Sequence, residues 1–404
     1  MNRHMRVISA AIASGAILLC SCSTNLGPET LPSTTPATET SVQTVPSETE
    51  DEFPEHTEPA SQAIILGSIV ESCGALSIDG TKIVNSEGET VVLQGMSSYG
   101  IEECGDFFTS DVIKTLAEDW GCDVLRIAIT GDENSEDCYL TDPDAYFDKI
   151  CKICDMCTLQ GIYVIVDWNV IYLEDSDENK EACVNFFSRL SAIYCDSPNI
   201  IYEINNDPYN RDEDVDSEEE WDDIIKPFAE DVIEAIREND EDNIIIVGAP
   251  DSGSDIDVAS DSPLDYDNVA YSCRFFSGAS GQSLRDKVQE AIDDEVCVFV
   301  TQWGLCNEFG GGGIHIEESN KWVEFLDENE ISWCNYAIGS ERDDDANALH
   351  LYSDRYTDEQ KAGHWPDGLL SYSGSFVREQ FLKIEDDTPE ETTETIEVTE
   401  STEE

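Results

Sequence analysis

The feature that most constrains this chain is a rhythm of short apolar runs. They stand at 91–96 (VVLQGM), 124–129 (VLRIAI), 163–168 (YVIVDW), 200–205 (IIYEIN), 244–248 (IIIVG), 269–275 (VAYSCRF), 296–302 (VCVFVTQ) and 331–337 (ISWCNYA). Runs that are apolar on both faces are what strands of a parallel sheet read like when both sides are covered. Between them lie amphipathic stretches: Asp111 to Trp120, Pro143 to Leu159, Lys180 to Tyr194, Ser217 to Asn239, Ser283 to Asp293 and Glu317 to Glu328. Several open on Ser or Asp, the residues that cap helix N-termini. Eight strands alternating with helices predict a (β/α)8 TIM barrel, with a doubly wound open sheet as the competing arrangement. The crossover from Ala249 to Asn268 has no helical period and is expected to be a loop. Ahead of the first strand, 76–80 and 82–88 alternate about Gly-bearing turns and predict a short β-hairpin.

The ends differ in kind from the middle. Residues 1–21 are expected to be a signal peptide, with Arg3 and Arg6 ahead of an apolar run from Val7 to Leu19. The ending Leu19-Cys20-Ser21-Cys22 resembles a bacterial lipobox, which implies lipidation of Cys22 and an extracytoplasmic, cell-surface location on a membrane anchor. Residues 22–70 are rich in Thr, Ser, Pro and Glu and read as a disordered linker, as do 386–404 as a tail, leaving 71–385 as the folded domain. With 21 basic against 89 acidic side chains the chain carries a formal charge of −68, which repels nucleic acid and leaves neutral ligands as natural partners.

In a barrel of this kind the chemistry sits at the C-terminal strand ends. The blocks LQGMSSYG, DVLRIAI, GIYVIVDWN, IIYEINNDP, NIIIVGAP, AYSCRFFSG, VFVTQWG and ISWCNYA resemble, in order and spacing, those of family-5 glycoside hydrolases, especially bacterial endoglucanases. The resemblance spans about residues 74–385. It implies a β-glucan-type polysaccharide or oligosaccharide as partner, no cofactor and no metal, and we expect a monomer. It also places the catalytic acid/base at Asp207 and the nucleophile at Gln302, where the family carries glutamates. Arg126, Asn206, Trp303 and Gly304 match the family's residues, whereas Tyr99, Asn169 and Arg274 stand where it has His, Phe276 where it has Tyr, and Tyr336 where it has Trp. Arg126, Asn206, Tyr99, Trp168, Asn169, Arg274, Phe276, Trp303 and Tyr336 are thus the implied substrate-binding set, and the aromatic members are expected to offer a platform for pyranose rings.

These exchanges bear on mechanism. A retaining glycosidase attacks with one carboxylate and protonates the leaving oxygen with another. The amide of Gln302 has almost no nucleophilicity, and Asp207 is a methylene shorter than glutamate. The expectation is therefore a catalytically impaired, glycan-binding barrel. The alternatives are an active endo-β-glucanase of altered mechanism, drawing on Asp167, Asp132, Glu133 or Glu308, and a protein-interaction module of a polysaccharide-degrading system. Cys151, Cys154 and Cys157 repeat every third residue within a predicted helix and read as core side chains, with a metal set as the rival. Gly310 to Gly313 lack a phosphate-loop Lys and read as a flexible loop, and His315, His350 and His364 are isolated.

Overall fold

The chain divides into a segment Met1–Phe53 and a unit Pro54–Glu404. The computed structural model describes residues 67–131, 138–173, 177–206, 208–210, 215–339, 345–350 and 356–383, all within the second unit. The signal peptide, Cys22, nearly all of the linker, the tail, and Asp132, Glu133 and Asp207 lie outside the described residues.

The strands are β1 (Ser77–Asp79), β2 (Lys82–Val84), β3 (Gln94–Gly100), β4 (Val124–Thr130), β5 (Tyr163–Asn169), β6 (Ile200–Glu203), β7 (Ile245–Gly248), β8 (Val269–Phe276), β9 (Val298–Gly304) and β10 (Ser332–Ile338). β1 and β2 form an antiparallel hairpin. β3 to β10 close into a parallel barrel in sequence order, β10 pairing back onto β3, with helices in the crossovers. The expected (β/α)8 barrel is therefore the observed fold, and the open sheet is excluded.

Alternation along each strand sorts the apolar side chains into two cores. One set, including Leu93, Val124, Tyr163, Ile165, Ile201, Ile246 and Phe299, fills the barrel with Leu76 and Ile83 of the hairpin segment packed on it. The hairpin thus plugs the end opposite the strands' C-termini. The other set, including Val164, Val166, Trp168, Phe186 and Trp303, packs strands against helices. All seven tryptophans are buried, the most accessible being Trp365 at 8%.

Helix Pro143–Gln160 shows how local sequence sets boundaries. Asp142 caps it by accepting from the Ala145 N–H (3.3 Å), Pro143 occupies the first turn, and Gly161 ends it at φ 71°. Cys151, Cys154 and Cys157 on this helix are fully buried in the core, where desolvation raises the thiol pKa values. Among the described residues no cysteine is in a disulfide, and no group of three His, Cys, Asp or Glu side chains is placed to hold a metal ion.

Two elements differ from expectation. The crossover after β7 is not a plain loop: Pro250–Gly253 is a tight turn with Asp251 and Ser252 in left-handed backbone (φ 48° and 56°), and Ile256–Asp261 is a short helix too brief for a period to register. A C-terminal helix, Tyr372–Leu382, was not anticipated because Ser and Gly interrupt its pattern; its Phe381 stacks on Trp333 with centroids 5.3 Å apart.

Asp123, before β4, accepts from the Gln94 N–H (3.2 Å), and burial pushes its carboxyl up to about 6 while Gln94 and Lys383 pull it down. A folded pKa above the unfolded value gives stability that is full below about pH 4 and lost as pH rises through about 6, at about 1–2 kcal/mol for a partly exposed group. Asp123→Asn removes this component. Denaturant unfolding at pH 4 and pH 7 should therefore show the variant gaining on the wild type by that amount at the higher pH.

Candidate active site

Because the barrel strands are parallel, their C-terminal ends meet at one rim. At β9 the register shifts against both neighbours. Cys273 and Arg274 of β8 oppose Val300 and Gln302, and Trp333 and Asn335 of β10 oppose Val300 and Trp303. β9 thus carries one extra residue near Thr301, a bulge of the kind that re-aims side chains beside active sites. Gln302 follows it, 7% exposed. Phe276 stands opposite Gly304, and a Cβ on that glycine would come within 2.7 Å of the Phe276 ring. The Trp-Gly pair after Gln302 therefore has a packing reason: only glycine lets that ring approach.

Below the rim lies a buried charge cluster. Arg126 of β4 forms an ion pair with Asp167 of β5 (Nη2 to Oδ2, 2.8 Å) and donates hydrogen bonds to Glu203 Oε2 of β6 through Nε (2.5 Å) and to Ser97 Oγ of β3 through Nη1 (2.9 Å). All four side chains are 0% exposed. Burial alone would lower the Arg126 pKa, but the charges of Asp167 and Glu203 outweigh it and hold the guanidinium protonated. One cation between two carboxylates leaves a formal charge of −1 under the site. Glu203 Oε1 and Asn206 Oδ1 accept no hydrogen bond, and Asn206 is 1% exposed. Asn205 ties β6 to β7, accepting from the Gly248 N–H (3.1 Å).

Three of the five expected cleft aromatics come together. Tyr99 and Tyr336 meet edge to face at 4.9 Å, and Phe276 meets Tyr336 at 6.1 Å. All three are half-buried, and the Tyr99 hydroxyl donates to Asn347 Oδ1 (2.9 Å). The other two are corrected. Trp168 is 0% exposed and packs outward among Tyr139 and Phe186, its Nε1 donating to Asn179 Oδ1 (3.1 Å). Trp303 is also 0% exposed, between Phe275 and Trp333. Both occupy outward positions of their strands, so they pack against helices and offer no face to a ligand. Asn169 and Arg274 are half-buried at strand ends, and Arg274 borders Gly253, where a Cβ would meet its Cγ at 2.8 Å.

The sequence reading left Glu203 and Ser97 out of the site. Their signal was present: Arg126, Asp167 and Glu203 are lone charges inside runs otherwise apolar, and such charges are kept only when paired. Of the other carboxylates considered, Asp167 is committed to Arg126 and Glu308 is exposed. Glu102, on the rim, accepts from the Thr130 N–H (2.9 Å) and hydroxyl (3.1 Å), and burial raises its pKa against those bonds.

Residues 84–342 match the family model described as cellulase, glycosyl hydrolase family 5. The chain is 38% identical over 314 residues to endoglucanase A of Evansella cellulosilytica, covering 78% of this chain and 61% of that one. It is 36% identical over 305 residues to an endoglucanase of Clostridium saccharobutylicum, covering 76% and 64%. It therefore spans under two thirds of the length of either relative. Among solved structures, the endoglucanase catalytic domain of Thermobifida fusca superposes with a TM-score of 0.69 at 27% identity, over 78% of this chain and 100% of that one. A glutamate-to-glutamine variant of that domain, in complex with cellotetraose, superposes equally well.

Proposed function

Since the chain belongs to glycosyl hydrolase family 5, we propose that its barrel mouth takes β-glucan chains of the cellulose type, and that the amide at Gln302 makes it a binder in which ordinary retaining hydrolysis is impaired. The observation that carries this reading is Gln302 itself: it follows the β9 bulge, the resemblance of the VFVTQWG block puts the family's nucleophilic carboxylate at this position, and an amide cannot form a glycosyl ester. Phe276, opposite Gly304 on the neighbouring strand, lacks the hydroxyl that the resemblance implies would hold a nucleophile. The cellotetraose complex of a glutamate-to-glutamine relative supports the view that such an exchange is compatible with holding the sugar. The half-buried Tyr99, Tyr336 and Phe276 supply apolar ring faces, and Asn206 a buried acceptor.

The relatives' names favour a second reading more strongly than this one, a working endo-β-glucanase of altered mechanism. Asp207, retained as an acid, would serve it. Product analysis on cello-oligosaccharides with the wild type and Asp207→Ala separates the two, because turnover that depends on Asp207 belongs only to the enzyme. Under the binding reading, calorimetry with cellotetraose should show Tyr336→Ala weakening affinity about tenfold, near 1.4 kcal/mol. A lipid anchor at Cys22 belongs to the same proposal, supported by the Leu19-Cys20-Ser21-Cys22 ending; loss of detergent-phase partitioning in Cys22→Ala tests it.

A further inference from the structure

In the polar stretch ahead of the barrel, Ala63-Ile64-Ile65-Leu66 is an uncharged apolar run, set apart from the acidic Glu48-Thr49-Glu50-Asp51-Glu52 before it. It leads directly into Gly67, where the described residues begin. From there the backbone is fixed. The Gly67 N–H donates to the Glu71 carboxylate, Ser68 Oγ accepts from the Glu71 N–H (3.1 Å), and the Val70 N–H donates to Gly161 O (3.2 Å). Ile69, Val70 and Cys73 of the short helix that follows pack on the barrel core.

A cavity of about 570 Å³ opens beside Gly67. Asp123 and Ile162 in its lining directly precede β4 and β5, so it lies at the barrel end opposite the mouth. Ile69, Ala117 and Ile162 give it apolar wall, and Glu118 and Asp123 give it acid. Two of the large apolar side chains exposed among the described residues border it. Leu382, 39% exposed, has its Cδ2 3.5 Å from where a Cβ on the lining residue Gly121 would sit, and Leu159, 40% exposed, stands one residue before Gln160 of the lining.

Charge selects the occupant. The C-terminal tail leaves from this side of the barrel, but it opens with Glu385-Asp386-Asp387, and a second copy of the chain brings a formal charge of −68; Glu118 and Asp123 repel both. Ala63 to Leu66 carry no charge and are already joined to the lining through Gly67. Seating them closes no long loop, and it removes two isoleucines and a leucine from water against the ordering of a few residues.

We propose that Ile64, Ile65 and Leu66 form a strap that docks in this cavity. The folded domain then begins at Ala63 rather than at residue 71, and the chain ahead of it departs from the end of the barrel away from the mouth. A polymer reaching the mouth meets no tether there. The strap is independent of what the mouth binds.

Hydrogen exchange of the full chain, read on peptides covering residues 62–67 and 41–47, tests it. Exchange in 62–67 is expected to be at least about tenfold slower than in 41–47, the protection that a docked segment gains over an undocked one. The double exchange Ile64→Asp with Ile65→Asp should bring 62–67 to the rate of 41–47 and speed exchange in 116–123, with 163–169 of β5 unchanged as the sign of an intact barrel. Ala117→Arg, which fills the cavity from the other wall, should release 62–67 in the same way. Equal rates for the two peptides in the wild type overturn the strap, as does protection of 62–67 that survives both variants. Protection that disappears on dilution assigns the cavity to a second copy and overturns it too.

Discussion

Arg126→Met should lower the unfolding free energy by about 3–5 kcal/mol, the usual cost of stripping one partner from a buried ion cluster. The reason is local. Asp167 and Glu203 are 0% exposed, and Arg126 is their shared cation at 2.8 and 2.5 Å. Without it two buried carboxylates are left inside the barrel without their shared cation. Denaturant unfolding at pH 7 measures the loss. A triple exchange of Arg126→Met, Asp167→Leu and Glu203→Met should recover much of the loss, since well-packed apolar groups often replace buried ions without penalty. A loss under about 1 kcal/mol, the range of exposed ion pairs, would mean that water reaches the cluster.

The second large effect concerns chemistry. Removing a nucleophile from a hydrolase that works through a covalent intermediate costs up to about 10⁶ in rate. Under the binding reading this chain has already lost that step, and Gln302→Glu should return part of it. We expect cello-oligosaccharide hydrolysis to rise on the order of 10²-fold over wild type, and further with Phe276→Tyr added. Under that reading the gain is partial because the resemblance implies His at Tyr99, Asn169 and Arg274 and a glutamate at Asp207, and an error of about 1 Å in placement can cost about 10²-fold. Product release over time by chromatography gives the rates. If Gln302→Glu folds, binds cellotetraose and stays at background, the defect lies elsewhere in the mouth.

How much of this was legible in the sequence follows from what each pattern encodes. Runs such as YVIVDW and VCVFVTQ are apolar on both faces, so they announced a covered parallel sheet and, repeated eight times, a barrel. The family blocks put Gln302 and Arg126 toward strand ends; Gln302 lies two residues before the end of β9, whereas Arg126 is the third residue of β4 and lies below the rim. Which way a side chain points was harder. Trp168 and Asp167 are adjacent in β5, yet one packs against helices and the other pairs with Arg126 inside the barrel. A strand alternates faces, so adjacency to a catalytic position argues against sharing its pocket. Trp303 beside Gln302 follows the same rule. The bulge near Thr301 was illegible because an extra residue in one strand leaves no mark on the apolar pattern.

Cellotetraose offered to the purified wild-type chain, followed by calorimetry for binding and by chromatography for cleavage in one sample, tests the central claim most directly. The account expects bound and intact tetrasaccharide, with cleavage emerging only when Gln302 becomes Glu. Cleavage by the wild type that disappears with Asp207→Ala would contradict it.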